Sequence, residues 1–140
     1  MTSRRDVIRT GLAGAALPLA PLAQARAATG SDPVIHRAIY DERFQAGRDF
    51  ALEAARRGWH AVAIRGDVTD VWFHHLDLRW KQGPAAIAGV TSHSSLFVLE
   101  RLAWDAGLRV TARANLKDEP LVSWIISPAR RGRTSVSGAA

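Results

Sequence analysis

Three short polar segments, each following an apolar run, hold the side chains best suited to chemistry. Histidine has the ordinary pKa nearest to neutrality, so His93 is the candidate for general acid–base work, with Asp41 or Asp67 orienting its ring. Ligands of parallel sheets bind at the carboxyl ends of the strands, where we expect these segments to meet. The sequence therefore predicts a catalytic group of His93, Asp67 and Asp41.

The segment T-S-H-S-S combines several hydroxyl groups with a predicted helix start. Free backbone N–H groups and the positive end of a helix dipole favour an anion there. Together with the loop after the second strand, the segment predicts a site for a small anionic ligand, formed by Thr91, Ser92, Ser94, Ser95, Arg65 and Gly66. Helix capping is the alternative role of Asp41, Asp67 and Ser92, and both readings stay open.

The sequence carries no motif that names a cofactor. Absence of Cys excludes disulfides, thiolate metal sites, iron–sulfur clusters and covalently attached haem, and no G-x-G-x-x-G is present for a dinucleotide. The pair His74-His75 does not predict a metal site, because adjacent helical residues diverge by about 100°, unless His60 or His93 comes close. Whether another cofactor binds is unknown at this point.

Apolar periodicity and turn residues predict the elements that position these segments. Helices are expected after the first and third strands, ended by Gly58 and Gly107, with Asp41 as the N-cap of the first. The last two strands form a plausible antiparallel hairpin. The predicted strands are 34–40, 59–64, 85–90, 109–114 and 121–126.

The segment 67–82 fits two structures. Trp72, Leu76 and Trp80 are four apart, as in a helix, whereas Leu76, Leu78 and Trp80 alternate, as in a strand. We predict a helix, because two parallel strands need a crossover of about this length. The expected fold class is α/β: a three-layer domain with a mainly parallel sheet and an antiparallel C-terminal hairpin.

The last predicted strand is apolar on both of its faces. At the edge of a sheet such a strand would promote aggregation unless it is covered. A protein partner or a second copy of the chain would cover it, and so would a more central place in the sheet. Trp124 and Ile126 are the predicted interface residues.

Residues 3–9 read S-R-R-D-V-I-R, and a run of small and apolar residues follows. This run is too short to span a bilayer, which needs about 20 residues. The segment resembles the twin-arginine signal peptide of exported bacterial proteins, with cleavage expected after Ala25 or Ala27. The resemblance implies export of a folded protein, to the periplasm or outside the cell, without a membrane span in its mature form.

We expect residues 1–27 to be the signal peptide, 28–127 one domain and 128–140 a disordered basic tail. The isoelectric point of about 11.2 arises from the two ends of the chain, because residues 28–129 hold 12 basic and 12 acidic side chains. Binding of the phosphate backbone requires a clustered positive surface. The charge distribution therefore excludes nucleic acid as a partner.

Two functions fit these features. The first is a periplasmic accessory subunit or ligand-binding module, exported folded and in complex with a protein partner such as a larger redox enzyme. It is favoured by the signal, the small size, the apolar last strand and the lack of a cofactor motif. The second is a small cofactor-free hydrolase or isomerase that uses His93 with Asp41 or Asp67.

Changing Arg4 and Arg5 together to Lys should retain the precursor in the cytoplasm, because the arginine pair is the feature that the exporter reads. Cell fractionation followed by immunoblotting measures the distribution of precursor and mature protein. Mature protein in the periplasm of a strain that lacks the twin-arginine exporter would contradict the assignment.

Overall fold

The computed structural model describes residues 34–129. The predicted signal peptide and residues 130–140 of the predicted tail lie outside the described residues. In chain order the elements are β1 (Ile35–Asp41), α1 (Gln45–Arg56), β2 (Ala61–Ile64), the short helix α2 (Thr69–Val71), a π-helical turn (Trp72–Leu76), α3 (Asp77–Lys81), β3 (Ala86–Thr91), α4 (His93–Trp104), β4 (Leu108–Asn115) and β5 (Val122–Pro128).

The five strands form one mixed sheet in the order β2-β1-β3-β5-β4. β1 pairs in parallel with β2 and with β3, whereas β5 is antiparallel to both β3 and β4. The α/β class is confirmed, but the mainly parallel sheet is not. The hairpin inserts β5 directly beside β3 instead of adding it at the edge, so half of the strand pairings are antiparallel.

Neighbouring residues of β1, β3 and β5 enter two different buried clusters, because side chains alternate between the faces of a sheet. Ile39 and Ile87 pack with Leu96 and Leu99 of α4. Ala38, Ala88 and Ile125 pack instead with the α1 residues Phe50 and Ala54. Within residues 34–129 no helix is both long and apolar enough to cross a membrane.

The start of α1 differs from the prediction. Asp41 is not its N-cap; Phe44 occupies that position without a side-chain cap. The carboxylate of Glu119, from the β4–β5 loop, accepts a hydrogen bond from the Ala46 N–H at 3.1 Å. An acidic group from a distant loop thus satisfies a free donor at the positive end of the helix.

The predicted helix in 67–82 is confirmed, although a π-helical turn interrupts it. Trp72, Leu76 and Trp80, the residues that favoured a helix, all contact the same buried cluster. Trp80 Nε1 also donates to the Ala85 carbonyl oxygen at 2.9 Å, which fixes the chain just before β3.

The prediction that Trp124 and Ile126 form an interface is wrong. Both side chains are buried, with 1% and 0% of their surface exposed, because β5 lies between β3 and β4. The indole of Trp124 lies so close over Gly89 that a Cβ there would overlap it. Its Nε1 donates to Thr91 Oγ1 at 3.0 Å, so these residues hold the sheet together internally.

Leu99→Ala should lower the free energy of unfolding by about 2–5 kcal/mol, because Leu99 is fully buried and the truncation leaves a cavity. The matched control is Val98→Ala at the adjacent helical position, whose side chain is 43% exposed. We expect the control to cost under about 1 kcal/mol. Denaturant unfolding of the three proteins measures both values, and equal losses would contradict the orientation of α4.

Candidate functional site

The three predicted polar segments meet at the carboxyl ends of β1, β2 and β3. Arg43, after β1, lies beside Gly66, after β2: a Cβ at Gly66 would be 2.8 Å from Arg43 Nη2. The Gly66 carbonyl oxygen in turn accepts a hydrogen bond from Ser95 Oγ of α4 at 3.1 Å. Gly66 has a φ of +89°, a conformation that few other residues adopt without strain.

Asp41 is the buried charge of this region, with 0% of its surface exposed. Arg43 donates to both carboxylate oxygens, from Nε at 2.9 Å and Nη2 at 2.7 Å, and its backbone N–H adds a third bond at 3.1 Å. Burial alone would raise the pKa of Asp41, but the hydrogen bonds and charge of Arg43 outweigh it and hold this pKa below its ordinary value. Asp41 is therefore an ionised structural group.

The hydroxyl groups of the T-S-H-S-S segment are engaged with one another and with the fold. Ser92 Oγ accepts from the Ser95 N–H at 3.2 Å, which confirms Ser92 as the N-cap of α4. Ser94 Oγ lies 3.2 Å from Ser92 Oγ. The hydroxyl of buried Thr91 accepts a hydrogen bond from the Trp124 indole N–H. These contacts are structural, and an anion at this helix start stays a prediction.

His93 is exposed at the start of α4, and no hydrogen bond among the described residues joins it to Asp41 or Asp67. The carboxylate of Asp41 is taken by Arg43. Asp67 Oδ1 accepts from the N–H and Oγ1 of Thr69 at 2.9 and 2.7 Å, and these bonds lower the pKa of Asp67. The structure therefore does not assemble the predicted catalytic group.

A cavity of about 580 Å³ lies beside β2, at the edge of the sheet. Its lining comes from Glu42 after β1, from β2 and the loop that follows it, and from residues 69–71 and 74–75 of the helical segment. We call it the β2 cavity, and its lining residues are Glu42, Val62, Ala63, Ile64, Arg65, Asp67, Thr69, Asp70, Val71, His74 and His75. Arg65 and Asp67 are the two residues of the predicted site that line it.

Negative charge exceeds positive charge in the β2 cavity. Arg65 lies 3.4 Å from the carboxylate of Glu42 and forms the one ion pair among the lining residues. Asp67 and Asp70 have no cationic partner among residues 34–129, and the Asp70 carboxylate forms no hydrogen bond there. Both side chains are exposed, so the cavity offers two accessible carboxylates to a ligand.

A cluster of three histidines, His36, His60 and His75, adjoins the cavity, and the sequence predicted no role for it. His36 Nε2 donates to the His75 carbonyl oxygen at 3.2 Å, and Arg37 Nε donates to His75 Nδ1 at 3.1 Å. The rings of His60 and His75 pack edge to face, with centroids 5.7 Å apart. Burial, the charge of Arg37 and the neighbouring histidines lower the pKa of His75, so the neutral imidazole is favoured there.

The histidine cluster is not arranged as a metal centre, because a guanidinium N–H occupies His75 Nδ1. Among residues 34–129, no group of three or more His, Cys, Asp or Glu side chains could hold a metal ion. The only sequence signal for the cluster was the pair His74-His75 with His60 nearby. The β1 residues His36 and Arg37 reach it only through tertiary contacts.

Comparison of the chain with protein-family models, with curated proteins and with solved structures finds no match.

The Asp41 carboxylate should stabilise the fold at neutral pH and cease to do so in acid. The unfolded carboxyl has a pKa of about 3.8 and the folded one a lower value, so the stabilisation is present above pH 3.8 and is lost as the pH falls through the folded pKa. Asp41→Asn should therefore cost about 1–3 kcal/mol at neutral pH, and progressively less below about pH 4.

Denaturant unfolding across this pH range checks the prediction, with Asp118→Asn, an exposed carboxylate in the β4–β5 loop, as the matched control. A loss for Asp41→Asn that stays constant with pH would contradict the role assigned to the ionised carboxylate.

Proposed function

We propose that this protein is an exported, non-catalytic ligand-binding subunit, a three-layer α/β domain that binds a small cationic ligand in the β2 cavity. The observation that carries the proposal is the pair of accessible carboxylates, Asp67 and Asp70, in a cavity of about 580 Å³. That volume is typical of small-molecule sites, in which a few polar groups fix the orientation of the ligand.

The charge of the lining favours a cation over the anion that the sequence predicted. A carboxylate or phosphate ligand would meet the uncompensated charge of Asp67 and Asp70, while the guanidinium of Arg65 is already paired with Glu42. An ammonium or guanidinium group would instead be attracted by these carboxylates. Charge-assisted hydrogen bonds to carboxylates are about twice as strong as neutral ones. Hydroxyl-rich residues 91–95 remain a weaker, separate candidate for an anion.

The exposed face of α4 supports the description of the protein as a subunit. Phe97 and Trp104 are seven residues apart, on one side of the helix, and are 61% and 51% exposed. The Arg109 guanidinium covers one face of the Trp104 indole at 4.1 Å from the ring centroid. Aromatic side chains presented in this way are typical of protein interfaces, so they replace Trp124 and Ile126 as the proposed contact residues.

Isothermal titration with a matched pair of four-carbon probes tests the charge preference. We expect 1,4-diaminobutane to bind and succinate, its dicarboxylate counterpart, not to bind. Asp70→Asn should weaken diaminobutane binding about fivefold, because an exposed ion pair contributes up to about 1 kcal/mol.

Asp118→Asn, which removes an exposed carboxylate outside the cavity, is the control and should leave the affinity unchanged. Binding of succinate with equal or higher affinity, or an Asp70→Asn protein that binds diaminobutane like the parent, would overturn the proposal.

A further inference from the structure

The edge strand β2 presents unpaired main-chain groups. The carbonyl oxygens of His60 and Ile64 accept from β1, from Ala38 N and Glu42 N respectively, at 2.9 Å each. Main-chain groups of alternate residues in a parallel strand point to opposite sides, so those of Ala61 and Ala63 point away from β1. They form no hydrogen bond with any residue in 34–129.

The two edges of the sheet differ in their protection against another strand. β4, the opposite edge, has a register irregularity between Val110 and Ala112 and carries Arg109 and Arg113. Bulges and charged side chains are the usual devices that keep an edge from pairing. β2 pairs with β1 without a register shift, and its sequence A-V-A-I has neither a charge nor a proline.

The free edge of β2 opens towards the β2 cavity. Val62, Ala63 and Ile64 line one side of it, and Asp70, Val71 and His74 line the other. Neighbouring strands lie about 4.8 Å apart, and side chains project above and below the sheet, so the side chains of β2 do not block a backbone that approaches in the plane of the sheet. A compact amine would fill the acidic end of the cavity but leave the main-chain groups of β2 unpaired.

We propose that the β2 cavity accepts an extended peptide segment of a partner protein, which adds to the sheet beside β2 and places a Lys or Arg side chain against Asp67 and Asp70. This deepens the proposed function, on which it rests, by naming the cationic group that enters the cavity as a basic side chain of a partner's peptide segment. Strand addition of this kind obtains affinity from main-chain hydrogen bonds and specificity from side-chain pockets. The occupant is basic because the two cavity carboxylates have no cationic partner among the described residues.

The first test uses a capped, fluorescein-labelled peptide, Thr-Val-Lys-Val-Thr, with anisotropy as the readout on the full mature chain. Two derivatives are N-methylated at alternate residues, one at the first, third and fifth positions and the other at the second and fourth. A strand added to β2 directs only one of these sets of N–H groups towards the protein. We expect one derivative to lose at least tenfold in affinity and the other to bind like the parent.

The second test assigns the basic side chain to the cavity. Replacing Lys by norleucine should weaken binding about fivefold to the parent protein, and it should have a smaller effect on Asp70→Asn, in which only Asp67 still faces the lysine. Asp118→Asn should respond like the parent. Equal effects of the norleucine peptide on the parent and on Asp70→Asn would overturn the assignment of the lysine to this carboxylate.

Amide hydrogen exchange gives a third readout, independent of affinity. Saturating peptide should slow exchange at Ala61 and Ala63, whereas Thr111 on the β4 edge should not change. If both N-methylated peptides bind like the parent peptide, the strand-addition proposal is wrong. Asp70-dependent binding of diaminobutane would in that case still support the proposed cation site. If neither the peptide nor diaminobutane binds, both proposals are wrong.

Discussion

The fully buried carboxylate of Asp41 is the constraint on which the arrangement of the loops depends. A buried ionised group costs several kcal/mol unless it is paired and hydrogen-bonded, and Arg43 supplies the three donors that satisfy it. This requirement fixes the turn after β1 and holds the Arg43 guanidinium against Gly66. Glu42, between the paired residues, donates its N–H to Ile64 and meets Arg65 at the cavity. One internal ion pair thus positions a wall of the candidate site.

Local signals predicted most of the elements because their causes are local. Gly58 and Gly107 end their helices with φ of +80° and +82°, as expected of glycine after a helix. Apolar periodicity identified α4, whereas the helical segment before β3 was predicted from the length of the crossover that two parallel strands need. The convergence of the three polar segments also follows from a general rule, since β1, β2 and β3 are parallel neighbours and their carboxyl ends share one edge.

Contacts between distant segments could not be predicted in the same way. The apolar character of residues 121–126 on both faces fits a covered edge and a central strand equally well, and only the sheet order places β5 inside. Asp41 is of a residue type that commonly caps helices, yet its carboxylate pairs with Arg43. The first turn of α1 is satisfied instead by Glu119, which accepts from the Ala46 N–H across 73 positions of the chain. The histidine cluster depends on His36 and Arg37 reaching a helix about 38 residues later, so no spacing in the sequence reveals it.

The π-helical turn links this cluster to the candidate site. Single π-turns are rare and are found frequently at functional sites. Here Leu76 is fully buried, and β1 holds His75 at both its ring and its carbonyl oxygen. His74 and His75 then line the cavity from the same turn. The helical segment that lines the cavity is therefore attached to β1, the strand next to β2. Both sides of the cavity are thus fixed to the same sheet, which sets the distance between them.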